Sequence, residues 1–145
     1  MADGFKILAQ AMMRDSGLDG SGNPTLPLAD DALDLIYQVP SPSGERFATR
    51  GNSQAIISSI SVCHVHSSSG AHEYSIRVVE DVSSPGFANK QYIIYNKGIN
   101  NSTTDVLSLG IGLVSGNGIY AEAYAGGTAG TASDIAITIF GTEVL

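Results

Sequence analysis

Apolar residues along this chain recur mostly with a period of two, the spacing of half-buried strands rather than of amphipathic helices. In "FKILAQAMM" (Phe5–Met13), Phe5, Ile7 and Ala9 alternate with Lys6, Leu8 and Gln10, which predicts a first strand. "LDLIYQVP" (Leu33–Pro40) predicts a second, ended by its proline. "QAIISSISVCHVH" (Gln54–His66) predicts a long third strand, with Ile56, Ile60 and Val62 on one face and Ile57, Ser59, Ser61 and Cys63 on the other. "EYSIRVVED" (Glu73–Asp81) turns Tyr74, Ile76 and Val78 inward and Ser75 and Arg77 outward, and "NKQYIIYNK" (Asn89–Lys97) follows as another strand.

"TDVLSLGIGLV" (Thr104–Val114) is the cleanest alternation. Leu107, Leu109, Ile111 and Leu113 share one face, and Ser108, Gly110 and Gly112 the other. A face so poor in side chains lets another backbone approach closely. "SGNG" (Ser115–Gly118) contains an Asn-Gly pair, the strongest short hairpin signal. "IYAEAYA" (Ile119–Ala125) sets Ile119, Ala121 and Ala123 against Tyr120, Glu122 and Tyr124. "DIAITIFGTEVL" (Asp134–Leu145) closes the chain with Ile135, Ile137 and Ile139 inward. The predicted core therefore includes Ile76, Leu109, Ile111, Ile137 and Ile139.

Between these runs lie Gly-, Pro-, Ser- and Asp-rich connections. The longest, Arg14–Ala32, carries Leu18, Leu26 and Leu28 as anchors and is stiffened by Pro24 and Pro27, the composition of an arm that orders against another chain. "GGTAGTAS" (Gly126–Ser133) reads as a Gly-rich loop, and a helix is confined to one turn around Asp30–Leu35. About eight strands, with turn signals every 8–15 residues or so, predict an all-β fold: an antiparallel, jelly-roll-like β-sandwich. Residues 1–145 form one domain, with an N-terminal strand and a long loop over 14–32.

Composition sharpens this in one respect. Charged residues make up 14% of the chain, against about 25% in an ordinary globular protein. The net charge is −7, which disfavours nucleic acid and anionic membranes as partners. The start, Met-Ala-Asp-Gly-Phe-Lys, lacks the basic and long apolar regions of a secretory signal, and no apolar run is long enough to span a bilayer. One cysteine, Cys63, allows no disulfide within the chain.

The candidate chemistry is thin. His64 and His66 share a strand face and, with His72, resemble a zinc or copper site, although such sites need three or four convergent ligands. Cys63 and His64 are adjacent on a strand and so point to opposite faces, which rules out a nucleophile–base pair. Asp15, Asp19 and Asn23 offer oxygens for calcium without the EF-hand spacing. Tyr120 and Tyr124 line one strand face, suited to stacking on a sugar, an interface or packing. Glu122 and Asp134 are the carboxylates a hydrolase or lyase would need as a pair. None of these forms a complete site, so the expectation is a non-enzymatic protein with no catalytic residue, cofactor or metal.

The segments "FKILAQ", "LIYQVP", "IISSISVCHV", "YSIRVV", "NKQYIIY", "LSLGIGL" and "IFGTEV" cover most of the strands. In kind and order the chain resembles small β-sandwich structural proteins of tailed bacteriophages, including cyanophages. The resemblance implies a virion component assembled in the host cytoplasm. It implies a capsid decoration (cement) protein that binds major capsid protein or other virion proteins, as a homotrimer by analogy. The alternative it leaves is a tail, neck or fibre module, with host-surface glycan as a possible ligand.

Overall fold

A computed structural model describes residues 6–13, 34–39, 54–65, 72–125, 128–129 and 135–144. The strands are β1 (Lys6–Met13), β2 (Asp34–Gln38), β3 (Gln54–His64), β4 (His72–Val79), β5 (Tyr92–Ile99), β6 (Thr104–Val114), β7 (Gly118–Ala125), β8 (Thr128–Ala129) and β9 (Ile135–Val144). They form two antiparallel sheets, ordered β1-β9-β3-β6 and β2-β7-β4-β5, with the short β8 added to β7. This interleaving of chain-distant strands is the jelly-roll arrangement. The predicted all-β sandwich is thus the observed fold.

The core fills the space between the sheets. Ile57, Ile60 and Val62 of β3 and Ile135, Ile137 and Ile139 of β9 face Tyr74 and Ile76 of β4 and Ile119, Ala121 and Ala123 of β7. Each such isoleucine contributes roughly 1.5–3 kcal/mol on full burial.

The third strand departs from its predicted facing. Ile57 is fully buried together with Ile60 and Val62, and Ile56, expected to share their face, is 49% exposed. A register shift between Ile57 and Ser59, against both neighbours, is the cause. One bulged residue inverts a period-two pattern, so alternation read across the bulge assigns one side wrongly. Leu109 and Ile111, also expected in the core, pack only partly against it, because β6 is the last strand of its sheet. A second close approach occurs at Gly141, where a Cβ would lie 2.2 Å from the Ile56 carbonyl oxygen. Only glycine fits there.

The Asn-Gly turn does not make a hairpin. β6 and β7 belong to different sheets, so residues 115–117 carry the chain across the sandwich. The left-handed residue is Gly116, with φ +88°. Asn117 holds the crossing: its Oδ1 accepts from Val114 N at 2.9 Å and its Nδ2 donates to the Glu80 carbonyl at 2.6 Å. Three smaller corrections follow. Asn89–Gln91 form a 3-10 turn rather than the start of β5, and Thr128–Ala129 form β8 inside the predicted loop. Asp34 and Leu35, placed in a possible helical turn, belong to β2. The rest of that turn and the 14–32 loop lie outside the described residues.

Each open side of the sandwich is closed by a tyrosine, a carboxylate and a lysine. At one, the Tyr37 hydroxyl from β2 donates to Glu143 Oε1 of β9 at 3.0 Å, and Lys6 of β1 bonds the other carboxylate oxygen at 3.0 Å. At the opposite side, the Tyr74 hydroxyl of β4 donates to Asp105 of β6 at 2.9 Å, and Lys97 of β5 pairs with that carboxylate at 3.0 Å. Burial first, and then the bond to Asp105, push the Tyr74 phenol well above its ordinary pKa. Each trio joins one sheet to the other.

Candidate functional site

The two outer faces of the sandwich carry different chemistry. On the β2-β7-β4-β5 sheet, register places Leu35, Tyr120, Arg77 and Tyr92 in one transverse row. Arg77 pairs with Glu122 at 3.1 Å, and both side chains are nearly buried, at 12% and 7% exposure. Arg77 also donates to the Tyr92 hydroxyl, which in turn donates to Glu122 Oε1 at 3.3 Å. Glu122 Oε2 accepts from the Tyr124 hydroxyl. Burial, followed by that bond, raises the Tyr124 phenol above its usual range. The Arg77 guanidinium lies 4.1 Å from the Tyr92 ring centroid and 5.5 Å from that of Phe87, within cation–π range.

This face is also covered by its own chain. Residues 80–91 leave β4 through a turn in which Asp81 Oδ1 accepts from Ser83 N at 2.9 Å and Ser83 Oγ at 2.6 Å. Those bonds hold the Asp81 carboxyl below its ordinary pKa. The segment then lays Val82 over Val79 and Tyr120, and sets Phe87 edge-on to Tyr120 with centroids 5.1 Å apart. A second, smaller apolar cluster forms outside the sheet. It explains why Val79 and Tyr120 are buried although they face away from the main core.

The outer face of the β1-β9-β3-β6 sheet has no such cover among the described residues. Its transverse rows read Ile7–Phe140–Ser59–Ser108 and Gln10–Thr138–Ser61–Val106, with Thr142–Ile56–Gly112 beyond them. None of these side chains is charged. Ile7, Ile56, Val106 and Val114 are 49–65% exposed. The charges on these strands, Lys6, Asp105 and Glu143, are all drawn into the two closing trios. What remains is a face of hydroxyl, small and apolar groups. Such a face can dock against another surface without stripping water from ions, which is the costly step in burying charge.

Of the residues singled out in sequence, the structure brings together His64 with His72 and Glu122 with Tyr124, but no set of metal ligands among the described residues. His64 and His72 are buried and stack with ring centroids 4.3 Å apart. His66 lies outside the described residues. No group of three His, Cys, Asp or Glu able to hold a metal occurs among the described residues. Cys63 is half-buried in the row with Ala136 and Thr104, on the opposite face from His64. Glu122 is held by the Arg77 cluster, while Asp134, Asp15, Asp19 and Asn23 lie outside the described residues. Tyr120 is buried under Phe87, and the Tyr124 hydroxyl is tied to Glu122. The aromatic platform lies elsewhere. Tyr95, 66% exposed and edge-on to Tyr92 at 4.8 Å, borders a surface depression of about 310 Å³ lined by Asn89 and Tyr92. Sequence reasoning missed it because Tyr92 and Tyr95 are three apart in a strand, a spacing that normally separates faces. No helix among the described residues is long and apolar enough to cross a membrane.

Comparison with known protein families, characterised proteins and solved structures yields no match.

Proposed function

We propose that this protein is a non-enzymatic structural component of a bacteriophage virion, a capsid decoration protein that docks on the major capsid protein through the outer face of β1-β9-β3-β6. The observation that carries this reading is an outer face that, among the described residues, bears no charge and keeps Ile7, Ile56, Val106 and Val114 exposed, on a chain whose net charge is −7. A protein added to a finished shell needs an adhesive surface more than an active site. The jelly roll supports the reading by analogy, since capsid and lectin domains share it.

The test is binding to purified particles. Wild-type chain should saturate undecorated capsids at hundreds of copies per particle. Ser61→Lys/Thr138→Lys, which places two charges in one row of the face, should abolish occupancy while the chain stays folded. Saturation by that variant would refute the reading.

A second reading, a tail, neck or fibre module that binds host glycan, is favoured by one observation, the exposed Tyr95 beside Asn89. A ring stacking on Tyr95 would use its apolar face and leave polar edges for the amide. Glycan affinity lost in Tyr95→Ala, together with a copy number of roughly a dozen or fewer per particle, would establish it instead.

A further inference from the structure

We infer that the free edge of β6 pairs with the same edge of a second copy, antiparallel and two-fold symmetric about Leu109, joining two four-stranded sheets into one. Among the described residues no strand lies beyond β6. Its backbone shows which groups are free. The Thr103 carbonyl accepts from His64 N, so in the pairing with β3 the odd-numbered residues Asp105 and Leu107 turn their backbone toward β3. The β3 register shift falls opposite residues 109–110, but exposure along β6 alternates without a break from Thr104 to Val114, so the even-numbered residues Val106, Ser108, Gly110 and Gly112 turn their backbone outward. Val114 marks the end of the free row, because its N–H bonds Asn117.

Open edges of this kind template association, and proteins normally blunt them with lysine, proline, bulges or strong twist. The neighbouring edge strand does so. β5 carries Lys97, a left-handed Asn96 at φ +44° and two register shifts against β4. The Asn96 kink is fixed by the buried Ser75, whose Oγ accepts from Asn96 N at 2.9 Å. β6 has no proline, lysine or arginine over its length, and its single charge, Asp105, is bound to Lys97 and Tyr74. Its one register shift, against β3, leaves the side-chain alternation of β6 intact, so among the described residues the outer edge keeps a regular stretch that a partner can match.

Centred on Leu109, the pairing is self-complementary. Val106 of one copy faces Gly112 of the other, and Ser108 faces Gly110. Each side chain thus meets a position without one. A Cβ at Gly110 or Gly112 would meet nothing within 4 Å in the single chain, so the space is open for the partner. Four residues per copy, each with one donor and one acceptor, give about eight backbone hydrogen bonds, within the range of a typical stable interface. No charge opposes a like charge across the seam, although the two copies repel overall. A three-fold ring needs two different patches on each copy, whereas this edge is one patch that matches itself. The inference is therefore a dimer in place of the expected homotrimer.

Charge placed on the facing positions tests both association and register. Val106→Lys/Gly112→Lys sets lysine against lysine twice across the two-fold, and Val106→Lys/Gly112→Glu sets lysine against glutamate twice. Within one chain these positions are six residues apart, about 20 Å at the strand rise and beyond the screening length at physiological salt, so they act only between copies. By analytical ultracentrifugation at micromolar concentration, wild type and the Lys/Glu variant should sediment at twice the chain mass, and the Lys/Lys variant at the chain mass. Circular dichroism confirms folding. If either variant is unfolded, Thr104→Lys/Val114→Lys and Thr104→Lys/Val114→Glu, which also face each other about Leu109 and lie farther apart within one chain, provide the same contrast. A monomeric or trimeric wild type, or two double variants that behave alike, would overturn the inference. Particle occupancy is a separate readout, so failure here leaves the docking reading to its own test.

Discussion

The two outer faces of this sandwich put the same few kinds of residue to opposite use. On the β2-β7-β4-β5 side, a buried Arg77–Glu122 pair is ringed by Tyr92, Tyr124 and Phe87 and roofed by residues 80–91. On the β1-β9-β3-β6 side, the rows hold only uncharged groups, and no described segment roofs them. The first face is completed by its own chain; the second is suited to completion by another. Scarcity of charge is therefore not uniform over the molecule. Lys6, Asp105 and Glu143, the charges on the strands of the second sheet, are drawn into the closing trios, and the described residues of its outer face carry none.

The largest expected effect breaks the contrast directly. Arg77→Ala strands the buried Glu122 carboxylate and should cost about 3–5 kcal/mol in urea denaturation. Thr138→Lys on the other face should change stability by no more than about 0.5 kcal/mol. Equal effects from the two substitutions would mean that Arg77 is not the buried organiser described. A smaller contrast separates two glycines of the same sheet. Gly141→Ala drives a Cβ into the Ile56 carbonyl and should cost about 1–3 kcal/mol. Gly112→Ala enters open space and should stay within about 0.5 kcal/mol.

Alkaline pH sharpens the picture further. Tyr74 and Tyr124 hold their protons more tightly when folded than the ordinary phenol pKa of about 10 allows in the unfolded chain. Above that pH the unfolded state binds fewer protons than the native state, so stability is flat below about pH 10 and falls as pH rises beyond it. The urea midpoint should drop between pH 9 and pH 11 or so, and Tyr124→Phe should lessen the drop. The smallest expected effect is none at all: EDTA should leave the melting temperature unchanged. A fall of several degrees would signal a metal bound to the native state.

Much of the architecture was legible in the residues. β6 was read with its observed ends, Thr104–Val114, because a strand with apolar residues at every second position has only one facing that buries them. The inward sets of β7 and β9 were readable for the same reason. The first two closing trios and the Arg77 cluster were not. Lys6 and Glu143 are 137 residues apart and Tyr37 and Glu143 are 106 apart, and no local pattern reports such a meeting. The aromatic pair Tyr92 and Tyr95 was hidden by the register shifts that break the two-residue period in β5.

By itself, then, the sequence determined the strands, the all-β class and the scarcity of charge, because side-chain alternation is a local property of an extended backbone. Tertiary structure alone decided which isoleucine of the Ile56–Ile57 pair is inside, since a bulge sets that phase and its place depends on both neighbouring strands. It decided that the Asn-Gly turn crosses between sheets, since strand order is a long-range choice. It also decided that the described residues of one outer face carry no charge. That depends on where Lys6, Asp105 and Glu143 find partners, and those partners come from the opposite sheet or from strands remote in the chain.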